Sequence, residues 1–370
     1  MVTFQTGICP ITEEEFPVVM DLGTGLPVEP IQRYINFCRK RGLANNTVLV
    51  YARRLVDYFK WLEFKSLDWR DIGLTELADF TNWYLLGGEI EVISEKVREL
   101  VSKRSPKTVN LTITAINNMY EFHAIEDRIN DKQFTKLSYK WGKRGGFLKG
   151  IVKSTPGKQK RIKLKEPKVF PGCLTEEEAM TLANACTNCR NSFFFLLMRS
   201  TGIRRGELLG LRWCDLSDLD RRSVIRVIRR EDNLNHATAK GIEREIPLVH
   251  YRDITLEAFE KYCFEEYPAK AEELGHDMVF VNLKPGRYLG KPMSSSRLND
   301  IFKYLEKQTG IEVYPHLNRH TLATRMLQEK HMDETVQHVL GHKSVATTKD
   351  IYSHVLDEIR LEDFLLGEEE

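Results

Sequence analysis

Near its carboxyl end the chain carries an ordered set of side chains suited to phosphate. His316-Leu317-Asn318-Arg319-His320-Thr321 opens the set, Leu340-Gly341-His342 ends 23 residues after Arg319, and Tyr352 follows ten residues beyond His342. Upstream, Thr201-Gly202-Ile203-Arg204-Arg205-Gly206-Glu207-Leu208 supplies another arginine. Attack on a phosphodiester gathers negative charge on the non-bridging oxygens, where fixed cations must meet it. Arginine fits because its planar fork binds phosphate bidentately and stays charged at any working pH. Tyrosine offers an oxygen nucleophile, but a phenol with an ordinary pKa of about 10 must lose its proton during attack, a task for a neighbouring imidazole. Two arginines, two or three imidazoles and one tyrosine match a transesterification on a DNA phosphodiester.

Other chemistries fit less well. His316/His320 and His338/His342 are i, i+4 pairs that could hold zinc on a helix face, but HExxH is absent and no carboxylate lies between either pair. There is no GxxxxGK[ST] loop and no carboxylate cluster of the two-metal kind, so neither cofactor nor metal is expected. The seven cysteines are odd in number and scattered, as in a reducing compartment. Cys186-Thr187-Asn188-Cys189 has no second pair and reads as two ordinary thiols at helix ends.

These groups need a scaffold. A chain of 370 residues allows two domains. No apolar run approaches the roughly 18 residues that span a bilayer. Met1-Val2-Thr3-Phe4-Gln5 lacks a signal-peptide start, so a cytoplasmic protein is expected. Residues 1–28 read as an irregular arm, with Gly23, Gly25 and Pro27 near its end.

A helical domain follows over 29–130. Pro30 to Arg41 is amphipathic and Gly42 ends it. Asn46 is a candidate cap for a helix through Val48, Tyr51, Leu55 and Leu62. Thr75 to Leu86 forms a third helix, and Ser105-Pro106 launches a fourth.

Residues 131–172 read as a basic interdomain linker broken by glycine and proline. Thirteen Lys or Arg stand against two acids between Asp131 and Phe170. Such a run can be a solvated linker or a strap across DNA phosphates; its candidate contacts are Lys158, Lys160, Arg161, Lys163 and Lys165. A capping box at Thr175-Glu176-Glu177-Glu178 opens the second domain, 173–356. Its helices are expected at Phe193–Arg199, Gly206–Arg212, Thr255–Glu266, Arg297–Thr309, His320–Glu329 and Thr335–Leu340. Ser223–Arg229 and Glu243–Val249 should pair as a small antiparallel sheet across the Asp232–Asn235 turn. Residues 357–370 form an acidic tail. The fold class is thus mainly α with a small antiparallel β-sheet.

Read in order, TGIRRGELLGLRW, AKGIEREIPL, HLNRHTLATRML and VLGHKSVATTKDIYSHV resemble the catalytic domain of the tyrosine recombinases, which include the phage integrases, the Xer recombinases and some transposases. The helical region resembles the family's core-type DNA-binding domain, so the resemblance spans roughly 30–356. It implies Arg204, Lys240, His316, Arg319 and His342 as the active-site set, with Tyr352 as nucleophile. The Thr-Gly-x-Arg alignment favours Arg204 over Arg205. Asn318 departs from the larger apolar residue the family often has there. The resemblance further implies a site-specific recombinase that cleaves and rejoins strands through a 3′-phosphotyrosine. Its implied partner is double-stranded DNA bearing specific recombination sites, in a tetrameric synapse that can include accessory proteins. A type IB topoisomerase and an architectural DNA-binding protein are the alternative readings.

Overall fold

The computed structural model describes residues 1–8, 15–88, 103–126, 139–142, 157–160, 162–167, 172–239, 241–341 and 352, with backbone alone at 15, 139–142 and 157–160. The chain divides into two units, Met1–Lys168 and Val169–Glu370.

The first unit opens on a sheet where an irregular arm was expected. β1 (Val2–Ile8) and β2 (Glu15–Asp21) pair antiparallel from Val2 opposite Asp21 to Ile8 opposite Glu15, and β3 (Leu26–Pro27) adds to β2 at Met20 and Asp21. Pro17 lies inside β2, where a proline has no N–H to donate to a ladder. Here its carbonyl lies on the edge that the two-residue β3 does not reach. The Gln32 amide covers that edge, accepting from Val19 N at 3.2 Å and donating to Pro17 O at 3.3 Å. Val2 and Val19 are buried in the same core as the helices, so these strands belong to the unit.

Four helices follow among the described residues: α1 (Glu29–Lys40), α2 (Asn45–Lys65), α3 (Leu74–Leu85) and α4 (Pro106–Ile125). Ser105 caps α4 as expected, accepting from Thr108 N at 3.3 Å. Asn46 does not cap α2, which starts two residues earlier than that cap would set it, with Ala44 as its cap and no side-chain bond. The core between the helices is aromatic, built on Tyr34, Tyr58, Trp61, Phe80 and Tyr120.

The basic stretch is partly regular. β4 (Tyr139–Gly142) and β5 (Gly157–Lys160) pair antiparallel, where broken chain was expected. Asn110 of α4 then grips the chain beyond it, donating to Leu164 O at 3.0 Å and accepting from Leu164 N at 2.8 Å. Ile162 and Leu164 pack on the first core while Lys163 and Lys165 stay exposed. Alternation of this kind turns the lysines outward. Lys158 and Lys160 lie on β5; Arg161 is outside the described residues.

In the second unit α5 (Glu176–Asn184) begins with the expected reciprocal cap: Thr175 Oγ1 accepts from Glu178 N at 3.1 Å, and Glu178 Oε2 from Thr175 N at 2.8 Å. α6 (Cys189–Thr201) is buried along nearly its whole length. α7 (Arg205–Leu209) and α8 (Leu219–Arg222) are short. β6 (Val224–Val227) and β7 (Arg244–Pro247) pair antiparallel, Ile225 opposite Ile246, as the alternating apolar residues predict. α9 (Arg252–Lys261) runs into a wide turn at Tyr262–Glu266, then α10 (Ala269–Glu273), α11 (Ser295–Thr309), α12 (Pro315–Gln328) and α13 (Asp333–Leu340) complete the unit. α12 starts five residues before the expected His320, because Pro315 is preset for the first helical turn. That extension puts His316, Arg319 and His320 on one helix.

Candidate active site

α6 and α12 pack together, and Gly202 lies where they approach. It takes φ +60° at the end of α6, and an added Cβ would sit 3.0 Å from Leu322 and 3.2 Å from Leu340. Glycine is needed for both the left-handed turn and the space. Two residues on, Arg204 caps α7, its backbone N–H donating to Glu207 Oε2 at 3.0 Å. Its guanidinium returns to the same carboxylate, Nη1 to Oε1 at 2.9 Å, and reaches Gly341 O through Nη2 at 3.1 Å. Arg205 is exposed and bonds Asn299 instead, at 3.1 Å. The geometry therefore places Arg204 inside the cluster and its neighbour outside.

Arg319 comes from α12 and is buried. Nη1 donates to Gly202 O at 2.9 Å and Nη2 to Leu340 O at 2.5 Å. Burial, with Arg204 also repelling it, pulls its pKa down to about 9, while Glu207 and Tyr352 act in the opposite direction. A cation held so far from solvent gains much from an arriving anion.

Tyr352 is buried, 2% exposed, and its ring meets His320 edge to face at a centroid distance of 5.5 Å. Burial pushes its phenol up to about 12; Arg319 and Arg204 pull it down and Cys173 pushes it up. The structure therefore brings Arg204, Arg319 and Tyr352 into one electrostatic neighbourhood. His316 lies exposed on the first turn of α12. Lys240 and His342 are outside the described residues, although their neighbours Gly241 and Gly341 border the cluster. A Cβ on Gly241 would lie 2.7 Å from Arg204 Nη1.

Two residues of this site, Glu207 and Arg244, were not singled out from the sequence. Glu207 is wholly buried, and holds Arg204 and, through Oε2 at 3.0 Å, Arg244. Burial alone would raise its pKa, but the guanidiniums of Arg244 and Arg204 more than offset that, and it lies below the usual value. The available signal was the capping-box spacing of Arg204 and Glu207. Arg244 had no such signal, because its burial arises from strand pairing. His320 follows Arg319 directly in sequence, and only the position of Tyr352 shows that the two rings meet.

The CxxC thiols behave as expected. Cys186 donates to Leu182 O at 3.4 Å and burial pushes it up to about 12, while burial and Glu266 raise Cys189. Among the described residues no three His, Cys, Asp or Glu gather as a metal site.

The sequence places the chain in the tyrosine recombinase class, enzymes that cleave and rejoin DNA at specific sites. The family model described as phage integrase family matches residues 173–358. Transposase A from transposon Tn554 of Staphylococcus aureus is 30% identical over 344 residues, 91% of this chain and 90% of that protein. Tyrosine recombinase XerA of Saccharolobus solfataricus is 28% identical, covering 93% and 95%. In fold the chain is similar to the Tn1549 transposon integrase in complex with transposon right end DNA, with TM-score 0.59, 19% identity and coverage of 91% and 99%. It is also similar to the XerH recombinase bound to its difH substrate, with TM-score 0.56, 21% identity and coverage of 92% and 85%. The chain belongs to the phage integrase family.

Proposed function

We propose that this recombinase acts on duplex DNA with Tyr352 as nucleophile. The phenol oxygen attacks the scissile phosphorus, the bond from phosphorus to the 5′-oxygen breaks, and a 3′-phosphotyrosine and a free 5′-hydroxyl result. Arg204 and Arg319 hold the non-bridging oxygens. His316 takes the phenol proton, His342 donates a hydrogen bond to the phosphate, and Lys240 protonates the departing oxygen. The phosphotyrosine keeps the energy of the broken bond, so a second 5′-hydroxyl reverses the step and joins a new strand without nucleotide hydrolysis.

The observation that carries this reading is the convergence of Arg204 and Arg319, from distant stretches of chain, on the carbonyl end of α13 beside buried Tyr352. A covalent protein–DNA adduct, trapped on nicked duplex and lost in Tyr352→Phe, is the expected result. An adduct persisting in that variant would reject the nucleophile. Exchange of strands between two site-bearing duplexes, rather than relaxation alone, separates recombinase from topoisomerase.

Further DNA contacts are proposed on both units. A cleft of about 1120 Å³ in the second unit is lined by Arg190, Lys284, Arg287, Lys291 and Arg297, with no carboxylate among its lining residues. Asn235 in its wall bonds Leu209 O and Met293 O, both at 2.9 Å, tying the cleft to α7 and so to Arg204. Backbone phosphates beside the scissile one suit such a surface. In the first unit exposed Lys163 and Lys165, with Lys158, Lys160 and Arg161, supply the strap. The segments 131–172, 173–356 and 357–370 are retained as functional segments, and 1–28 joins 29–130, whose core Val2 and Val19 share. A tetrameric synapse, accessory proteins, a cytoplasmic setting and carriage by a mobile element complete the proposal. Among the described residues no helix is long and apolar enough to cross a membrane.

A further inference from the structure

Arg244 enters the cluster from β7 and bonds Glu207 and three backbone carbonyl oxygens. Its side chain is 1% exposed. Nε donates to Val339 O at 3.1 Å, and Nη2 to Leu340 O at 3.3 Å and Glu207 Oε2 at 3.0 Å. Nη1 donates to Ile242 O at 3.1 Å and Glu207 Oε1 at 3.3 Å. One guanidinium thus joins three separate stretches of chain. Ile242 lies two residues after Lys240, Leu340 two before His342, and Glu207 is the carboxylate that holds Arg204.

The fit leaves no slack. Gly341 takes φ +61° at the end of α13, and a Cβ there would lie 2.5 Å from Arg244 Cζ and 2.6 Å from Nη1. A residue that only balanced the charge of Glu207 would not need donors aimed at three carbonyl oxygens. Lysine could neutralise the carboxylate, but it cannot present a planar fork to both carboxylate oxygens and a helix end at once.

We propose that Arg244 is a positioning residue, a buried clamp that holds Ile242, the Leu340–Gly341 end of α13 and the Glu207–Arg204 pair in one register for phosphoryl transfer. This rests on the reading of the site as a phosphodiester transesterase. Misplacement by about 1 Å costs on the order of 100-fold in rate, whereas duplex affinity is set by exposed cations spread over a wider surface. Arg244 therefore acts on the chemical step and not on binding.

The test uses the full chain and a nicked duplex selected from a random-sequence pool by adduct capture with the unaltered protein. Duplex affinity and the single-turnover rate of adduct formation are measured for Arg244→Lys, Gly341→Ala and the double variant, with thermal unfolding recorded for each. Arg244→Lys is expected to slow the adduct roughly 10- to 100-fold while affinity changes less than about threefold. Gly341→Ala reaches the same contact from the other side and should show the same split. The double variant should be no slower than the slower single, since both break one contact. Rate and affinity falling in proportion, or single effects that multiply in the double, would overturn the clamp. If the unaltered protein captures no duplex, the transesterase reading itself fails, which is a separate result.

Discussion

Replacing Glu207 by glutamine isolates the charge of one buried carboxylate. The substitution preserves shape and an oxygen to accept the Arg204 backbone N–H, but leaves two guanidiniums without their counter-charge. Glu207 is fully buried and Arg244 nearly so, whereas Arg204 is 24% exposed. Removing one member of a buried pair costs about 3–5 kcal/mol because the other charge stays behind uncompensated. The second unit should therefore lose about that much stability at pH 7 in urea unfolding followed by circular dichroism. The dependence on pH is a sharper test. The Glu207 carboxyl is held below its ordinary 4.5, so its charge stabilises fully above that pH and the contribution is lost as pH falls through the folded-state pKa. The gap between the two proteins should be constant from pH 8 to 5 and close in stronger acid, where the native carboxyl becomes as neutral as the amide. A gap below about 1 kcal/mol at pH 7, or one unchanged at pH 3.5, would refute the assignment of Glu207 as an electrostatic anchor.

Asn318 is fully buried and its side-chain oxygen and nitrogen have no hydrogen-bond partner among the described residues; Asn318→Leu should raise stability by about 1–3 kcal/mol in urea unfolding, and a loss would reveal a partner outside them. Joint replacement of Lys284, Arg287 and Lys291 by alanine should lower the slope of log affinity against log salt by about three and weaken binding to all sequences alike; an unchanged slope removes the cleft from the interface. Val19→Ala should destabilise the first unit by about 2 kcal/mol through lost burial and cavity formation, and no change in its unfolding would show that the opening strands are not part of that core.

The legible parts of this chain were those whose signal is local. Ser105 and Thr175 specify helix starts through hydroxyl oxygens that accept from the backbone N–H three residues on, and both caps form. Residues 1–28 were misread because Gly23, Gly25 and Pro27 near their end argue for irregular chain, while the Gln32 amide that completes the β2 edge lies on the following helix. Arg204 and Arg319 were recognisable from the family motifs, and their approach to each other depends on α6 packing against α12. Glu207 and Arg244 stand inside those same motifs. Nothing in their immediate neighbours reveals that a carboxylate with 0% side-chain exposure will be shared by two cations from separate elements.

The meeting point of these charges has its own physical logic. The last carbonyls of a helix have no partners within it and carry the negative end of the helix dipole. At the end of α13, Val339 O receives Arg244, Leu340 O receives Arg244 and Arg319, and Gly341 O receives Arg204. Three guanidiniums are thus gathered by backbone oxygens and one buried carboxylate, against their mutual repulsion and the cost of burial. The same repulsion favours any anion that fits among them, and a phosphodiester in attack carries more charge than one at rest. Donors fixed beforehand need no reorganisation as that charge develops. In the proposed transesterification a short helix ending in Leu340-Gly341 therefore takes part, because it sets where the cations wait before DNA arrives.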